Sequence, residues 1–147
     1  MSIIRLLVAT TLAVSTAACA PVEAPPRLVQ MNIVLTAMQE APPTPSAATG
    51  QGIVTFDRET KQVSWSIVYD GLTGPLQAAH FHGPATPGTN AGVAVPIPVT
   101  FSPMVGAAIL TGAMAEDLLA GRMYINLHTP AFPNGEIRGQ VVGSAPM

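Results

Sequence analysis

From Leu28 onward apolar side chains recur at every second position, not every third or fourth, and that spacing commits the chain to strands whose two faces meet different surroundings. Met31, Ile33 and Leu35 alternate with Gln30, Asn32 and Thr36. Pro42-Pro43 and Pro45 end this run. A second strand passes through Gly52-Ile53-Val54-Thr55-Phe56, turns at Asp57–Gln62 and returns along Val63–Tyr69 as a hairpin. In the returning arm Val63, Trp65, Ile67 and Tyr69 share one face, and their β-branched and aromatic character predicts that this face is the core. Gly71–Gly74 is a turn, Ala78–His82 a short strand, and Gly83–Gly92 (GPATPGTNAG) a loop too rich in Gly and Pro for a ladder. Val93–Phe101 reads as an irregular edge strand whose pairing Pro96 and Pro98 limit. Arg122–His128 and Ile137–Val142 are the last strands, with a turn at Asn134-Gly135 between them. One helix interrupts the pattern over Ala113–Ala120, with Thr111 as N-cap, Met114 and Leu118 inward, Glu116 and Asp117 outward, and Gly121 as its stop. Met114 stands where a capping box needs Glu or Gln, so the cap acts alone. Seven short strands at this spacing predict an all-β, antiparallel sandwich or barrel with one short helix, over residues 28–143.

The amino end departs from this pattern. Residues 1–18 carry one early Arg5, an apolar stretch from Leu6 to Val14 and small residues up to Cys19, the arrangement of an export signal. The stretch is too short for a typical membrane span and has no polar face to float on a core. Ala17-Ala18 before Cys19 resembles a bacterial lipoprotein processing site, with Thr16 where such sites usually carry Leu. This predicts lipidation at Cys19 and membrane attachment; the alternative is ordinary cleavage near Ala20. Cys19 is the one cysteine of the chain, so no internal disulfide forms. Residues 19–27, rich in Pro, read as a tether. Exported in either case, the protein is expected in the periplasm or cell envelope. With six Lys plus Arg, eight Asp plus Glu and a formal charge of −2, and with no basic cluster, the chain offers nothing to a nucleic acid.

All three histidines fall in strand-like segments: His80 and His82 in AAHFHGP, His128 in MYINLHTPAF. Side chains two apart on a strand point to the same face, about 6.6 Å apart along the chain, within reach of one ion for a pair of imidazoles. A third nitrogen from another strand would complete a set suited to copper or zinc, with one position left open. Tyr124 and Asn126 share the face of His128 and are the candidates for neighbours that would hold the rings. The alternative is that these histidines are unrelated strand-end residues.

The segments from Gly52 to Ile97 and from Leu110 to Val141 closely resemble the CHRD domain, named for its repeats in chordin. The likeness spans about Met31 to Val142 and is carried best by Ala79-His80-Phe81-His82-Gly83-Pro84, Asp117-Leu118-Leu119-Ala120-Gly121-Arg122, Asn126-Leu127-His128-Thr129 and Phe132-Pro133-Asn134-Gly135-Glu136-Ile137-Arg138-Gly139. It implies an exported module and little about activity. A more distant likeness is to the copper-zinc superoxide dismutases, eight-stranded Greek-key barrels that hold copper with a His-x-His pair on one strand and a histidine from a late strand. His80, His82 and His128 match these in order, which implies one copper ion. No histidines remain for a zinc subsite, which the likeness therefore does not predict here. By the same likeness Arg138 would guide a small anion to the metal; by strand alternation it shares a face with Glu136 and Gln140, and on these surroundings it would instead pair with Glu136 or another surface carboxylate.

Other residues have ordinary explanations. Trp65 and Tyr69 read as core anchors, Met123 as packing, since its parity differs from that of His128, and Asp57–Thr60 as turn chemistry. No phosphate loop, cofactor fingerprint or nucleophile with a base at readable spacing is present. Three functions follow as expectations. The first is a binding module that holds one copper ion for storage, delivery or sensing. The second is a dismutase-like copper oxidoreductase. The third is a metal-free structural or adhesive module that meets an extracellular or periplasmic protein.

Overall fold

The computed structural model describes residues 24–143; residues 1–18, expected from the sequence to be an export signal, and Cys19 lie outside the described residues. Eight strands form: β1 (Leu28–Thr36), β2 (Thr49–Asp57), β3 (Gln62–Asp70), β4 (Ala78–His82), β5 (Val93–Ile97), β6 (Met104–Ile109), β7 (Met123–His128) and β8 (Ile137–Gly143), with one helix, α1 (Gly112–Leu119), before β7. All neighbours are antiparallel and the order across the sheet is β5-β4-β7-β8-β1-β2-β3-β6. Sequence neighbours β3 and β4 lie far apart in this order, while β6 returns to pair with β3 and β7 with β4. These crossings make a Greek key. The sheet curls until its halves face one another, and Trp65 of β3 meets Phe81 of β4 edge-on, with ring centroids 5.3 Å apart. The result is the nearly closed antiparallel barrel that period-two patterning predicts.

The alternating residues fill it. Met31, Ile33 and Leu35 from β1, Val54 and Phe56 from β2, Val63, Trp65 and Ile67 from β3, and Phe81 from β4 are all buried in one core. Each large apolar side chain so buried contributes about 1.5–3 kcal/mol. Tyr69 is only partly buried and packs at the margin of that core, with its hydroxyl donating to the Thr100 carbonyl at 3.3 Å. The helix starts where its cap predicts: Thr111 Oγ1 accepts from the Met114 N–H at 3.2 Å, Leu118 is buried, and Gly121 takes φ +69° at the stop. The Asp57 turn is ordinary as well, Oδ1 accepting from the Glu59 N–H at 2.9 Å. Arg27, at the end of the expected tether, forms ion pairs with Asp57 at 2.7 Å and Glu59 at 2.6 Å.

Two elements differ from expectation. The edge strand β5 stops at Ile97, because Pro98 has no N–H to continue the ladder, and Phe101 beyond it is fully in solvent. Met104–Ile109, unassigned in the sequence reading, is the eighth strand and the other edge of the sheet. Its Gly106 lies opposite Trp65, and a Cβ there would stand 2.5 Å from the indole ring. The missing side chain is what lets the tryptophan lie across the edge strand.

Candidate metal centre

The outer face of β4, β7 and β8 carries the polar residues. Strand alternation sends Ala79 and Phe81 inward and His80 and His82 outward; in β7 it sends Ile125 and Leu127 inward and Tyr124, Asn126 and His128 outward. The register sets Ala78 opposite His128, His80 opposite Asn126 and His82 opposite Tyr124. Every residue of β7 except His128, and β8 as far as Val141, is buried, so this outer face is covered as well as the inner one. The cover is irregular chain: the Gly83–Gly92 loop, the Thr129–Glu136 segment, and the stretch after β1.

The three histidines converge. Each brings a ring nitrogen within 4.8 Å of the others, and His80 Nδ1 lies 3.2 Å from His128 Nε2. The ring centroids are 5.5 Å apart for His80–His82, 5.1 Å for His80–His128 and 6.2 Å for His82–His128. Nitrogens sharing an ion at about 2.0 Å stand roughly 3.3–4 Å apart. The His80–His128 pair, joined by a hydrogen bond at 3.2 Å, is close to that separation, and the third nitrogen lies within 4.8 Å of the other two.

The outer ends of two rings are fixed. His82 Nδ1 is 2.9 Å from the Ala91 carbonyl and His128 Nδ1 is 3.0 Å from the Pro133 carbonyl. A carbonyl only accepts, so both Nδ1 atoms carry a proton, and in the neutral form of either ring the lone pair is on Nε2. His82 Nε2 is buried and has no hydrogen-bond partner. A buried imidazole nitrogen without a partner is costly, and beyond the Tyr124 ring at 4.9 Å the rings around His82 are those of His80 and His128. Burial first, then the neighbouring His128 and His82, hold the His80 imidazole below its ordinary pKa. Burial does the same for His128 against the opposing Pro133 hydrogen bond. Both shifts favour the neutral ring, the form in which imidazole binds a metal. Imidazoles brought together from two strands suit a borderline cation such as copper or zinc, and His80, His82 and His128 form a group that could hold one metal ion.

Of the expected neighbours, Tyr124 stacks on His82 with centroids 4.9 Å apart and planes 5° from parallel. Asn126 lies on the same face but turns toward the following loop, its amide donating to the Asn134 carbonyl at 3.5 Å while Oδ1 has no partner. Arg138 departs from both of its readings. It does not pair with Glu136, which precedes β8 and lies outside the strand parity that suggested the pair. The Glu136 carboxylate instead takes hydrogen bonds from the hydroxyls of Thr129 (2.6 Å), Ser46 (2.7 Å) and Thr73 (2.9 Å) and from the Thr73 N–H (2.9 Å). Nor is Arg138 exposed to approaching anions: it is 1% exposed, its guanidinium lies 3.4 Å from the Tyr124 ring centroid, and it donates to the Thr89 carbonyl at 2.8 Å. A cleft of about 610 Å³ opens over Met38, Glu40, Asn90, Arg138 and Gln140, and none of the three histidines lines it. The groups that sequence reasoning missed are the Ala91 and Pro133 carbonyls and the Arg138–Tyr124 contact. Backbone carbonyls carry no residue signature, and the contact depends on which strands become neighbours.

Compared with known protein families, residues 31–141 match the CHRD domain. Among curated proteins and among solved structures nothing matches.

Proposed function

The chain belongs to the CHRD-domain family, and on that premise we propose that it is an exported module that binds one copper ion through His80, His82 and His128, for storage, delivery or sensing. The observation that carries this reading is the convergence of three histidines, each with a ring nitrogen within 4.8 Å of the others, and beside it the buried His82 Nε2 has no hydrogen-bond partner. Copper is favoured over a purely structural zinc because three imidazoles leave a position open, whereas structural zinc sites are closed by four protein ligands. CHRD domains are typically extracellular, which agrees with an export signal over residues 1–18 and with lipid attachment at Cys19 in the periplasm or cell envelope. Intact mass of membrane-extracted protein tests that attachment: a free amino terminus at Ala20 would exclude it.

Copper titration followed by electron paramagnetic resonance tests the site. Wild type is expected to take up one equivalent with a nitrogen-ligated signal, and His80→Ala/His82→Ala to lose it; equal binding by both would overturn the proposal. A dismutase-like activity shares the open coordination position, but the burial of Arg138 removes the residue that would have drawn in an anion. A turnover assay separates the two readings, since a pure binding module accelerates superoxide decay no more than free copper does.

A further inference from the structure

We infer that Arg138 is a positioning residue for this centre, acting on His82 through Tyr124 and through the Gly83–Gly92 loop; the inference rests on the copper reading. β7 lies between β4 and β8, so the Tyr124 ring receives His82 from the β4 side, stacked at 4.9 Å, and the Arg138 guanidinium from the β8 side at 3.4 Å. The tyrosine cannot tilt without disturbing both, and the plane of His82 is set by a column whose far end is the arginine.

The loop gives a second route to the same ring. Arg138 donates to the carbonyls of Thr89 at 2.8 Å and Thr86 at 3.4 Å and to Asn90 Oδ1 at 3.4 Å. It also donates to Gln140 Oε1 at 3.1 Å, and Gln140 reaches on to the Ala85 carbonyl at 2.8 Å. Residues 85–90 are thereby fastened to β8. The next residue is Ala91, whose carbonyl accepts from His82 Nδ1 at 2.9 Å and whose N–H donates to the Tyr124 hydroxyl at 3.3 Å. The acceptor that fixes the His82 tautomer is the end of the segment that Arg138 holds. Among the described residues no carboxylate lies within ion-pair distance of Arg138; the groups in direct contact with this buried cation are neutral acceptors and an aromatic face, and Glu40 acts on it only from farther off. Such a group is costly to bury, and closing the loop onto the metal ligand is what it accomplishes.

The test uses Arg138→Lys, which keeps the charge but has neither the planar face nor the fork, and Arg138→Met, which keeps the bulk. In the metal-free protein, nitrogen-15 correlation spectra of the histidine rings report the tautomer directly. Wild-type His82 is expected as a single Nδ1–H form and both variants as mixtures, while His128, held by Pro133, stays unchanged. Copper affinity by chelator competition should fall about 10–100-fold, with altered resonance parameters in protein that remains folded. A folded Arg138→Lys or Arg138→Met protein with the wild-type tautomer and copper spectrum would overturn the inference. Should both variants fail to fold, Tyr124→Leu, which removes the stacked ring and leaves the loop bonds of Arg138, is read in the same way. Wild type that takes up no copper would instead defeat the binding proposal and leave the tautomer result standing.

Discussion

Two buried carboxyls show how little residue type alone decides. Glu136 has no solvent exposure; desolvation pushes its pKa up, but the hydrogen bonds from Thr129, Ser46 and Thr73 outweigh it and the net shift is downward. Glu40 has no such set of donors. Its Oε1 is buried and unpartnered, and burial raises the carboxyl to about 7 against the pull of Arg138. Because the folded value lies above the unfolded 4.5, the neutral carboxyl contributes stability that is complete below pH 4.5 and is lost as pH rises through about 7. Glu40→Gln, neutral at every pH, should therefore match wild type at pH 4 and exceed it by about 1–3 kcal/mol at pH 8 in urea unfolding. A constant difference across pH would mean that Glu40 is charged in the fold. At this scale the sequence exposed the His80–His82 pair, because His-x-His on a strand fixes a shared face whatever the fold, and marked His128 as a third candidate at the end of another strand. It could not expose which carboxyl keeps its charge, since Glu40 and Glu136 differ only in the donors that distant loops bring.

At the scale of elements, legibility followed side-chain character. β1 to β4, β7, β8 and α1 were readable because β-branched and aromatic residues alternate along the strands and because Thr111 and Gly121 bracket the helix. β6 was not, since Gly106-Ala107-Ala108 has almost nothing that favours a strand on its own account. Its pairing is supplied from outside, by β3 and by the indole of Trp65 lying across Gly106. Gly106→Ala is accordingly expected to destabilise the domain by about 1–3 kcal/mol through overpacking, measured as a lower urea midpoint at unchanged slope, whereas an alanine at Gly112, with nothing within 4 Å of its Cβ position, should be close to neutral or mildly stabilising. A Gly106→Ala protein as stable as wild type would mean that the edge strand is free to move away from the tryptophan. The outer face of β7 and β8 was half legible: alternation showed that Tyr124, Asn126, Arg138 and Gln140 point away from the core, but not that loops bury them there.

For the whole molecule, the Greek-key crossing is what makes a site from residues far apart in the chain. His80 and His128 are 48 residues apart and meet only because β4 and β7 are neighbours in the folded sheet, so the three imidazoles come together in the native state and not in the unfolded chain. An ion that binds only the native state stabilises it by about 2.7 kcal/mol at a hundred times its dissociation constant, which for a domain of this size raises the melting temperature by roughly 10 °C. Wild type in excess copper is expected to show that rise, and His80→Ala/His82→Ala to melt at the same temperature with and without the metal. The double variant matters because the remaining histidine still gives the unfolded chain a weak ligand, and its melting separates native-state binding from that background. If the wild-type melting temperature were indifferent to copper, the three imidazoles would be packing groups on the outside of a barrel, and the domain would be left with the role of an extracellular structural or adhesive module.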